Sequence, residues 1–272
     1  MPGSKQTVLI TGCLDGGLGA ALAIAFHKAG LHVYATARNP ARMTQVAELG
    51  IETLTLDVLS ESSIAACVSK IPRLDILVNK AGAAYSMPVT DMSIPKARKL
   101  FDLNAFLPLL LKSKGIIVNQ TSIAASLILP LAAAYGASKA AMAHISETLR
   151  LELQPFGITV IELKTGLVRS NLIKNHEIAT QPQLPENLIY TPAKEQVETA
   201  LRQERFVGEG LPADQWATAV TQDILQKQPP PVIWRGDSAR LARVGSILPF
   251  GFLDGTAKKA TGFDLVEIAL RN

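Results

Sequence analysis

The fold is decided by the stretch TVLITGCLDGGLG, residues 7–19. Its first four residues are apolar or β-branched, which predicts a buried strand. A glycine-rich turn follows, and residues 20–29 form an alanine-rich amphipathic pattern closed by Gly30, as expected of a helix. In such a unit the glycines let the backbone approach a pyrophosphate, while the helix N-terminus presents free N–H groups and a positive dipole. Glycines also serve ordinary tight turns, but their position after a strand favours a dinucleotide-phosphate cradle.

Strand and helix patterns alternate along the rest of the chain, without internal repeats. This alternation predicts an α/β fold: a Rossmann-like doubly wound parallel sheet of about seven strands, with helices on both faces. We expect a single dinucleotide-binding catalytic domain over residues 1–272. The expected strands lie near residues 7–11, 32–37, 51–57, 74–79, 115–121, 158–163 and 231–234. The expected helices lie near residues 18–29, 40–49, 61–71, 94–106, 133–155 and 212–227.

Two segments outside this alternation have their own expected roles. In a doubly wound fold the ligand binds at the carboxyl ends of the strands. The segment of about residues 167–211 follows the sixth strand and is rich in Pro, Gln and Asn, so we expect a substrate lid. The C-terminal extension, about residues 235–272, mixes arginines with large apolar residues. It suits either a cover over an apolar substrate or contact with a lipid surface.

The stretch YGASK, residues 135–139, carries the expected chemistry. On a helix, Tyr135 and Lys139 share one face, about 6 Å apart along the axis. A lysine cation beside a phenol lowers the phenol pKa from about 10, so the tyrosine can exchange a proton near neutral pH. Ser122 ends the apolar run 115–121, and its hydroxyl can meet a carbonyl oxygen beside the phenol. We therefore predict acid–base catalysis; the alternative is a surface helix that merely contains Tyr and Lys.

The second expected strand indicates the cofactor. It ends in ATAR, residues 35–38, with no Asp or Glu to hold a ribose 2′-hydroxyl. Arg38 can pair with a 2′-phosphate instead, so NADP(H) is expected; the alternative is a solvated loop charge. Asp15 opposes this choice, because a carboxylate near the phosphate would repel it.

Composition agrees with a soluble enzyme. The 272 residues are 48% hydrophobic and 18% charged, which suits a sizeable core and excludes disorder over most of the chain. Two cysteines, Cys13 and Cys67, suit a reducing compartment. The N-terminus is too short and polar for a signal peptide, and no apolar stretch reaches the ~20 residues of a membrane helix. We therefore expect a cytoplasmic protein.

Charge and histidine spacing narrow the expected partners to small molecules. The net charge of +4 suits anionic cofactors, anionic substrates or lipid surfaces. No basic cluster interleaved with aromatic residues indicates nucleic acid. The four histidines are not spaced as metal ligands are; they are His27, His32, His144 and His176.

These motifs resemble the short-chain dehydrogenase/reductase family over roughly residues 7–170. The segments 33–38, 77–79 and 165–171 look like those of fungal 1-acyldihydroxyacetone-phosphate reductases, and hydroxysteroid dehydrogenases are similar through the same stretches. The family implies a Rossmann-like fold, a nicotinamide cofactor and a catalytic set that matches Asn104, Ser122, Tyr135 and Lys139.

The resemblance also implies the residues that bind the cofactor. They are Gly12, Gly17, Leu18 and Gly19 at the pyrophosphate, Arg38 at the 2′-phosphate, Asp57 and Val58 at the adenine, Asn79 after the fourth strand, Tyr135 and Lys139 at the ribose, and Val168 and Ser170 at the nicotinamide amide. Asp57 is alternatively a turn or cap residue before Ser60, which is a good N-cap for the next helix.

Three features depart from the family pattern. Gly16 is an extra residue in the glycine loop. Lys80 replaces the second Asn of the family's Asn-Asn-Ala-Gly, and it cannot accept the hydrogen bond by which that residue ties strands together. The chain between Asn104 and Ser122 is shorter by about two to three helical turns. Because that helix supplies half of the subunit interface in relatives, we expect at most a weakened homodimer. Pro108 should end the helix near residue 107 unless it starts a new turn.

The expected function is NADPH-dependent reduction of an apolar ketone, such as a lipid, sterol or polyketide. Tyr135 would protonate the developing alkoxide, Lys139 would lower the tyrosine pKa and bind the ribose, and Ser122 would donate to the carbonyl oxygen. Similar reductases act on lipids, so contact with the surface of a lipid droplet or the endoplasmic reticulum is the less favoured alternative to a purely cytoplasmic protein. The alternative is a redox-silent relative that binds nucleotide and serves as an interaction or scaffold protein. Lys80 and the short segment favour that alternative, whereas the intact Ser-Tyr-Lys set opposes it.

Overall fold

A computed structural model of the chain describes residues 5–81, 106–171, 184 and 189–271. Seven strands form one sheet in the order β3-β2-β1-β4-β5-β6-β7, and every neighbouring pair is parallel. The predicted doubly wound sheet is confirmed. Its strands are β1 (Thr7–Thr11), β2 (His32–Ala37), β3 (Glu52–Thr55), β4 (Ile76–Asn79), β5 (Ile116–Ser122), β6 (Thr159–Thr165) and β7 (Val232–Arg235).

The α-helices within the described residues cover both faces of the sheet and extend past its last strand. They are α1 (Leu18–Lys28), α2 (Thr44–Glu48), α3 (Glu61–Val68), α4 (Leu107–Ser113), α5 (Ala133–Leu153), α6 (Lys194–Arg202), α7 (Ala213–Ile224), α8 (Ala239–Gly245), α9 (Asp254–Thr261) and α10 (Phe263–Arg271). The single helix expected near residues 40–49 is a 3-10 turn, Pro40–Arg42, followed by the short α2. The expected helix near 94–106 lies outside the described residues except for its last residue.

The strands are apolar on both sides because both faces of the sheet are buried. In β1, Val8 and Ile10 belong to one apolar cluster, which includes Phe26 of α1 and Trp216 of α7. Leu9 points to the other face, where a second cluster includes buried residues of α3, α4 and α5. The two layers hold the carboxyl ends of the strands in fixed register.

The strand order reverses between β1 and β4, because β2 lies on one side of β1 and β4 on the other. In open α/β sheets ligands bind in the crevice at such a point, outside the carboxyl ends of the strands. The glycine loop follows β1, and Asn79 and Ser122 end the two strands beyond it. The predicted site residues in the described part of the chain therefore lie along one edge of the sheet.

Pro108 begins a helix, which is the second of the two outcomes left open by the sequence. It lies in the first turn of α4, where its missing N–H needs no helical partner. The helix spans seven residues, buries Leu110 and ends at Lys114 in the left-handed conformation, with φ at 50°. Asn104 lies outside the described residues, so its predicted catalytic role stays a prediction.

The described part of the expected lid packs against the C-terminal extension. Val197 and Leu201 of α6 are buried together with Leu184 and with Val266 of α10. No helix in the described ranges is long and apolar enough to cross a membrane. The sequence analysis did not predict α6, α8, α9 or α10; these helices have only seven to nine residues each, which is short for a helix prediction from pattern.

Candidate active site

The glycine loop is held tightly between β1, β2 and the segment after β4. Gly12 has φ at 78°, and its N–H and that of Cys13 both donate to the carbonyl of Thr36 at 2.9 Å. A Cβ added at Gly12 would lie 3.1 Å from the Cα of Ala81, and one at Gly19 would collide with the carbonyl oxygen of Gly12. These two glycines are needed because no side chain fits at either approach.

The start of α1 presents unpaired donors to the crevice. Gly17 is the N-cap residue and makes no side-chain capping bond. The first helical hydrogen bond runs from the N–H of Ala21 to the carbonyl of Gly17, at 3.2 Å. The N–H groups of Leu18 and Gly19 precede it and have no partner among the described residues, as at any uncapped helix start. Together with the helix dipole, they fit the pyrophosphate of a dinucleotide.

Asp15 is directed to the start of α2. Its carboxylate accepts hydrogen bonds from the Thr44 hydroxyl at 2.6 Å and from the N–H groups of Thr44 and Gln45 at 3.0 Å. Partial burial opposes ionisation, but these hydrogen bonds and the nearby Arg42 lower the pKa of Asp15 below its usual value. Asp15 therefore stays ionised at neutral pH, with its carboxylate held by hydrogen bonds at the start of α2.

Arg38 is exposed immediately after β2, beside the glycine loop. Its guanidinium makes no ion pair with any described residue. A free cation at this strand end fits the 2′-phosphate that distinguishes NADP(H) from NAD(H).

Asp57 forms a turn before α3. Its Oδ1 accepts from the N–H of Leu59 at 3.1 Å, and Ser60 caps α3 by accepting from the N–H of Ser63 at 3.3 Å. Asp57 thus has the turn role that the sequence analysis gave as an alternative to adenine binding. Oδ2 of Asp57 has no partner among the described residues and remains available to an adenine amino group. Val58 is half-buried and packs beside the second apolar cluster.

Asn79 makes a hydrogen bond between strands, which is the role that the Asn replaced by Lys80 has in the family pattern. Its amide donates to Oδ1 of Asn119 on β5 at 2.9 Å, and Asn119 donates to the Ser146 hydroxyl of α5 at 3.0 Å. The Thr11 hydroxyl accepts from the backbone N–H groups of Lys80 and Ala81 at 2.9 and 2.8 Å. The segment after β4 is therefore fixed although Lys80 replaces Asn.

The Ser122 hydroxyl lies near the Tyr135 phenol at the carboxyl end of β5, close enough to influence its pKa. Ser122 is buried, and its hydroxyl also accepts from the N–H of Ala124 at 3.2 Å, which starts a short 3-10 helix. Burial raises the pKa of the Tyr135 phenol, while the hydrogen bond with Ser122 lowers it, and burial dominates. The predicted lowering of the Tyr135 pKa by Lys139 stays a prediction, because burial and Ser122 are the two causes that act on this phenol.

Lys139 lies one helical turn after Tyr135, as the spacing predicted. Its Nζ is 5.8 Å from the centre of the Tyr135 ring and donates to the carbonyl of Gln120 at 3.2 Å. Burial, followed by repulsion from the Lys80 ammonium, lowers the pKa of Lys139 from 10.5 to about 8. Burial also lowers the pKa of Lys80, which approaches the buried Cys13 thiol as well. The site thus contains a second cation that the family pattern does not predict.

The segment after β6 closes the other side of the crevice. Val168 is buried and bridges to Leu211, and Ser170 is half-buried two residues later. Asn171 donates its N–H to the carbonyl of Gly16 at 3.2 Å and its side-chain amide to the carbonyl of Asp15 at 3.3 Å. Sequence reasoning missed Asn171, although the extra Gly16 was a signal: this glycine has φ at 70° and makes room for the Asn171 amide.

The site is therefore that of a dinucleotide-dependent oxidoreductase of the Rossmann type. It combines free helix N–H groups, an unpaired arginine at the end of β2 and a Ser-Tyr-Lys group at the end of β5. Three comparisons with known proteins agree. A profile for short chain dehydrogenases matches residues 6–181. A short-chain dehydrogenase/reductase of Pestalotiopsis microspora is 52% identical over 280 residues, covering 100% of this chain and 99% of the relative.

Two further similarities agree with this match. An NADPH-dependent 1-acyldihydroxyacetone phosphate reductase of Schizosaccharomyces pombe is 36% identical over 90% of this chain and 90% of its own. The crystal structure of a short-chain dehydrogenase from Streptomyces avermitilis has a TM-score of 0.72 at 26% identity, covering 98% of this chain and 99% of that one. The chain belongs to the short-chain dehydrogenase family.

Proposed function

We propose that the protein is an NADPH-dependent carbonyl reductase that acts on an apolar ketone. The observation that carries the proposal is the grouping of Lys139 Nζ 5.8 Å from the Tyr135 ring, with the Ser122 hydroxyl close enough to the phenol to influence its pKa. These groups lie at the carboxyl edge of the sheet, beside the crevice formed by the glycine loop. Such a grouping suits proton transfer to an oxygen atom next to a bound nicotinamide.

The protonation state of the site suits reduction. NADPH, when bound, supplies the hydride. Ser122 donates a hydrogen bond to the ketone oxygen, and Tyr135 gives its proton to the alkoxide that develops there. The raised pKa of Tyr135 keeps the phenol protonated at neutral pH, which is the form that a proton donor needs. Lys139 orients the ribose, and its ammonium limits the charge that builds up on the phenolate oxygen.

Three observations support NADP(H) as the cofactor. Arg38 is exposed and has no ion-pair partner among the described residues. Asp15, the nearest acid in the glycine loop, is bound to the start of α2. The Schizosaccharomyces pombe relative is described as NADPH-dependent. The cofactor-binding roles of the predicted residues follow from this arrangement as proposals.

An apolar substrate is supported by the residues after Ser122. The sequence continues as IAASLIL, residues 123–129, and Ile128 is 77% exposed. These residues follow directly after Ser122, which binds the ketone oxygen in the proposed mechanism. A lipid, sterol or polyketide ketone suits such a lining, because its apolar portion gains from leaving water. The Schizosaccharomyces pombe relative, named as a reductase of an acylated ketone phosphate, is consistent with this class.

We also propose a cytoplasmic location and at most a weak homodimer. The support for weak dimerisation is the length of α4, which at seven residues offers little surface to a partner. Analytical ultracentrifugation tests it: a stable dimer at low protein concentration would contradict the proposal.

A redox-silent nucleotide-binding protein is the second candidate, and Lys80 favours it. Its cation near Lys139 is foreign to the family pattern and could hinder ribose binding. Two measurements decide between the candidates: titration of NADPH fluorescence, and turnover with a panel of apolar ketones. We expect binding with turnover. Binding without turnover on any ketone would support the redox-silent protein, and no binding would contradict both candidates.

A further inference from the structure

Large apolar side chains are exposed along α8 and the turn that follows it. Phe250 is fully exposed, Ile247 is 82% exposed, and Phe252 is 68% exposed. Leu241 and Val244, three residues apart on one face of α8, are also more than half exposed. We call these five residues the C-terminal apolar surface. Grouped exposure of this kind marks an interaction site, whereas single exposed apolar residues are ordinary.

The turn that bears the phenylalanines is well ordered by its own hydrogen bonds. The N–H of Ile247 donates to the carbonyl of Val244 at 3.2 Å, and that of Phe252 donates to the carbonyl of Pro249 at 3.1 Å. A Cβ added at Gly245 would meet the side chain of Leu253, so the end of the turn packs back onto α8. The apolar side chains are therefore presented outward by a defined backbone.

Two unpaired cations flank this surface. Arg240 and Arg243 are exposed on α8, and neither forms an ion pair with a described residue. At about 100° per residue, both arginines lie on one side of the exposed face and Leu241 and Val244 on the other. Apolar groups beside cations match the boundary of an anionic bilayer, where acyl chains lie beneath phosphate headgroups.

A second copy of the chain suits the surface less well. A two-fold contact would bring the same patch of both copies together. Such a contact would enclose Arg240 and Arg243 of both copies in or beside one apolar interface, and the C-terminal apolar surface offers them no acidic partner, so their desolvation would be uncompensated. Charge complementarity therefore favours a lipid surface.

The C-terminal apolar surface adjoins the catalytic residues. α8 follows β7 and packs beside the 3-10 helix Ile123–Ala125, which starts directly after Ser122. A Cβ added at Gly245 would lie 3.3 Å from the side chain of Leu127, and the neighbouring Ile128 is exposed. We propose that this surface seats the protein on an anionic phospholipid bilayer, with the catalytic crevice next to the membrane. Docking is independent of the reductase proposal, whereas delivery of an apolar ketone from the bilayer rests on it.

Vesicle co-sedimentation of the full chain tests the docking. Vesicles of phosphatidylcholine mixed with phosphatidylserine are compared with vesicles of phosphatidylcholine alone. We expect binding to the mixed vesicles that weakens with salt. The double variant F250S/F252S should bind at least ~10-fold more weakly, because two exposed rings no longer enter the bilayer. The variant R240Q/R243Q should lose a similar factor and most of the salt dependence.

Phe156→Ser is the matched control. Phe156 is 56% exposed, but it precedes β6 and so lies at the opposite edge of the sheet from the catalytic residues. The Phe156→Ser variant should bind vesicles like the wild type. If this control lost as much vesicle binding as F250S/F252S, or if the wild type did not bind vesicles, the proposal would be overturned. Loss of a dimer in F250S/F252S without a change in vesicle binding would assign the surface to a second copy instead.

Activity separates this proposal from the reductase proposal. With a water-soluble ketone, F250S/F252S should turn over like the wild type, which also shows that the variant is folded. If the wild type binds vesicles but reduces no ketone, the reductase proposal fails and the docking stands.

Discussion

The Lys80 ammonium repels that of Lys139, and together with the larger effect of burial it lowers the pKa of Lys139 to about 8. Lys80 occupies the position where the family pattern has Asn, and its backbone is fixed by the Thr11 hydroxyl. No described residue accepts a hydrogen bond from its ammonium. The Lys139 ammonium therefore loses its proton near pH 8, within the working pH range of most enzymes.

Lys80→Asn should raise the pKa of Lys139, because one of the two causes of its depression is removed while burial remains. Reduction that needs the Lys139 cation should then persist to higher pH, so the alkaline limb of the kcat profile should move upward. The measurement is kcat against pH for both proteins. Lys112→Asn, an exposed change on α4, is the control. An unmoved alkaline limb in Lys80→Asn would show that the two lysines are not coupled.

The same shift predicts how stability depends on pH. The folded pKa of Lys139 is about 8, below the usual value of 10.5 for a lysine. Between these values the unfolded chain holds more protons at this group, so its contribution makes the folded state more stable as pH rises from about 8 to about 10.5. Below pH 8 both states are protonated and the full cost of the buried cation is present. Lys139→Met should remove this rise in the free energy of unfolding, measured by urea denaturation between pH 8 and 10.5. If the variant kept the wild-type dependence of stability on pH, the rise would not come from Lys139.

Tyr135→Phe should abolish proton donation while leaving the cofactor site intact. The ring keeps its packing and loses only the hydroxyl, whose pKa Ser122 influences. We expect turnover to fall at least ~10²-fold, the lower end for a positioned general acid, with little change in NADPH affinity. Steady-state kinetics and fluorescence titration measure the two quantities. Ketone reduction at nearly the wild-type rate would remove Tyr135 from the mechanism.

Arg38→Ala should weaken NADPH binding and leave NADH binding almost unchanged. A hydrogen bond to a charged group contributes about 1.5–3 kcal/mol, so the NADPH dissociation constant should rise by ~10-fold or more. Arg271→Ala removes an exposed cation at the end of α10 and serves as the control. Equal affinities of the wild type for NADPH and NADH would contradict the proposed role.

The positions of the strands could be predicted from the sequence. The strands of this sheet are apolar on both faces, and recognisable turn residues stand before or after them. The bounds of β1 and β2 were predicted to the residue, and the placement of Ser122 at the end of β5 agreed as well. Local spacing also predicted that Tyr135 and Lys139 share a face, since helix geometry fixes that distance.

What the sequence could not supply depends on contacts between distant segments. The pKa of Tyr135 depends on burial, which the helix spacing does not contain. Asp15 caps α2 across 29 residues, and Asn171 reaches the glycine loop across 156 residues. The C-terminal helices were missed because they are short, and helices of this length depend on packing, such as that of Val266 among α6 residues.

Gly16→Ala should disturb the crevice through Asn171. Gly16 has φ at 70°, so any side chain there is strained, and a Cβ would collide with the Asn171 amide. Gly50→Ala is the matched control, because Gly50 has φ at 74° and a Cβ there would meet nothing within 4 Å. Both variants should lose about 1–2 kcal/mol of stability from the left-handed backbone.

Only Gly16→Ala should also weaken NADPH binding. Asn171 lies in the segment after β6 and donates hydrogen bonds to the carbonyls of Asp15 and Gly16 in the glycine loop. The added methyl group would displace Asn171 and break this connection. Thermal denaturation measures the shared loss, and fluorescence titration measures the difference. If both variants bind NADPH equally well, the contact between Gly16 and Asn171 has no part in shaping the site. The extra glycine would then be an insertion that the loop merely tolerates.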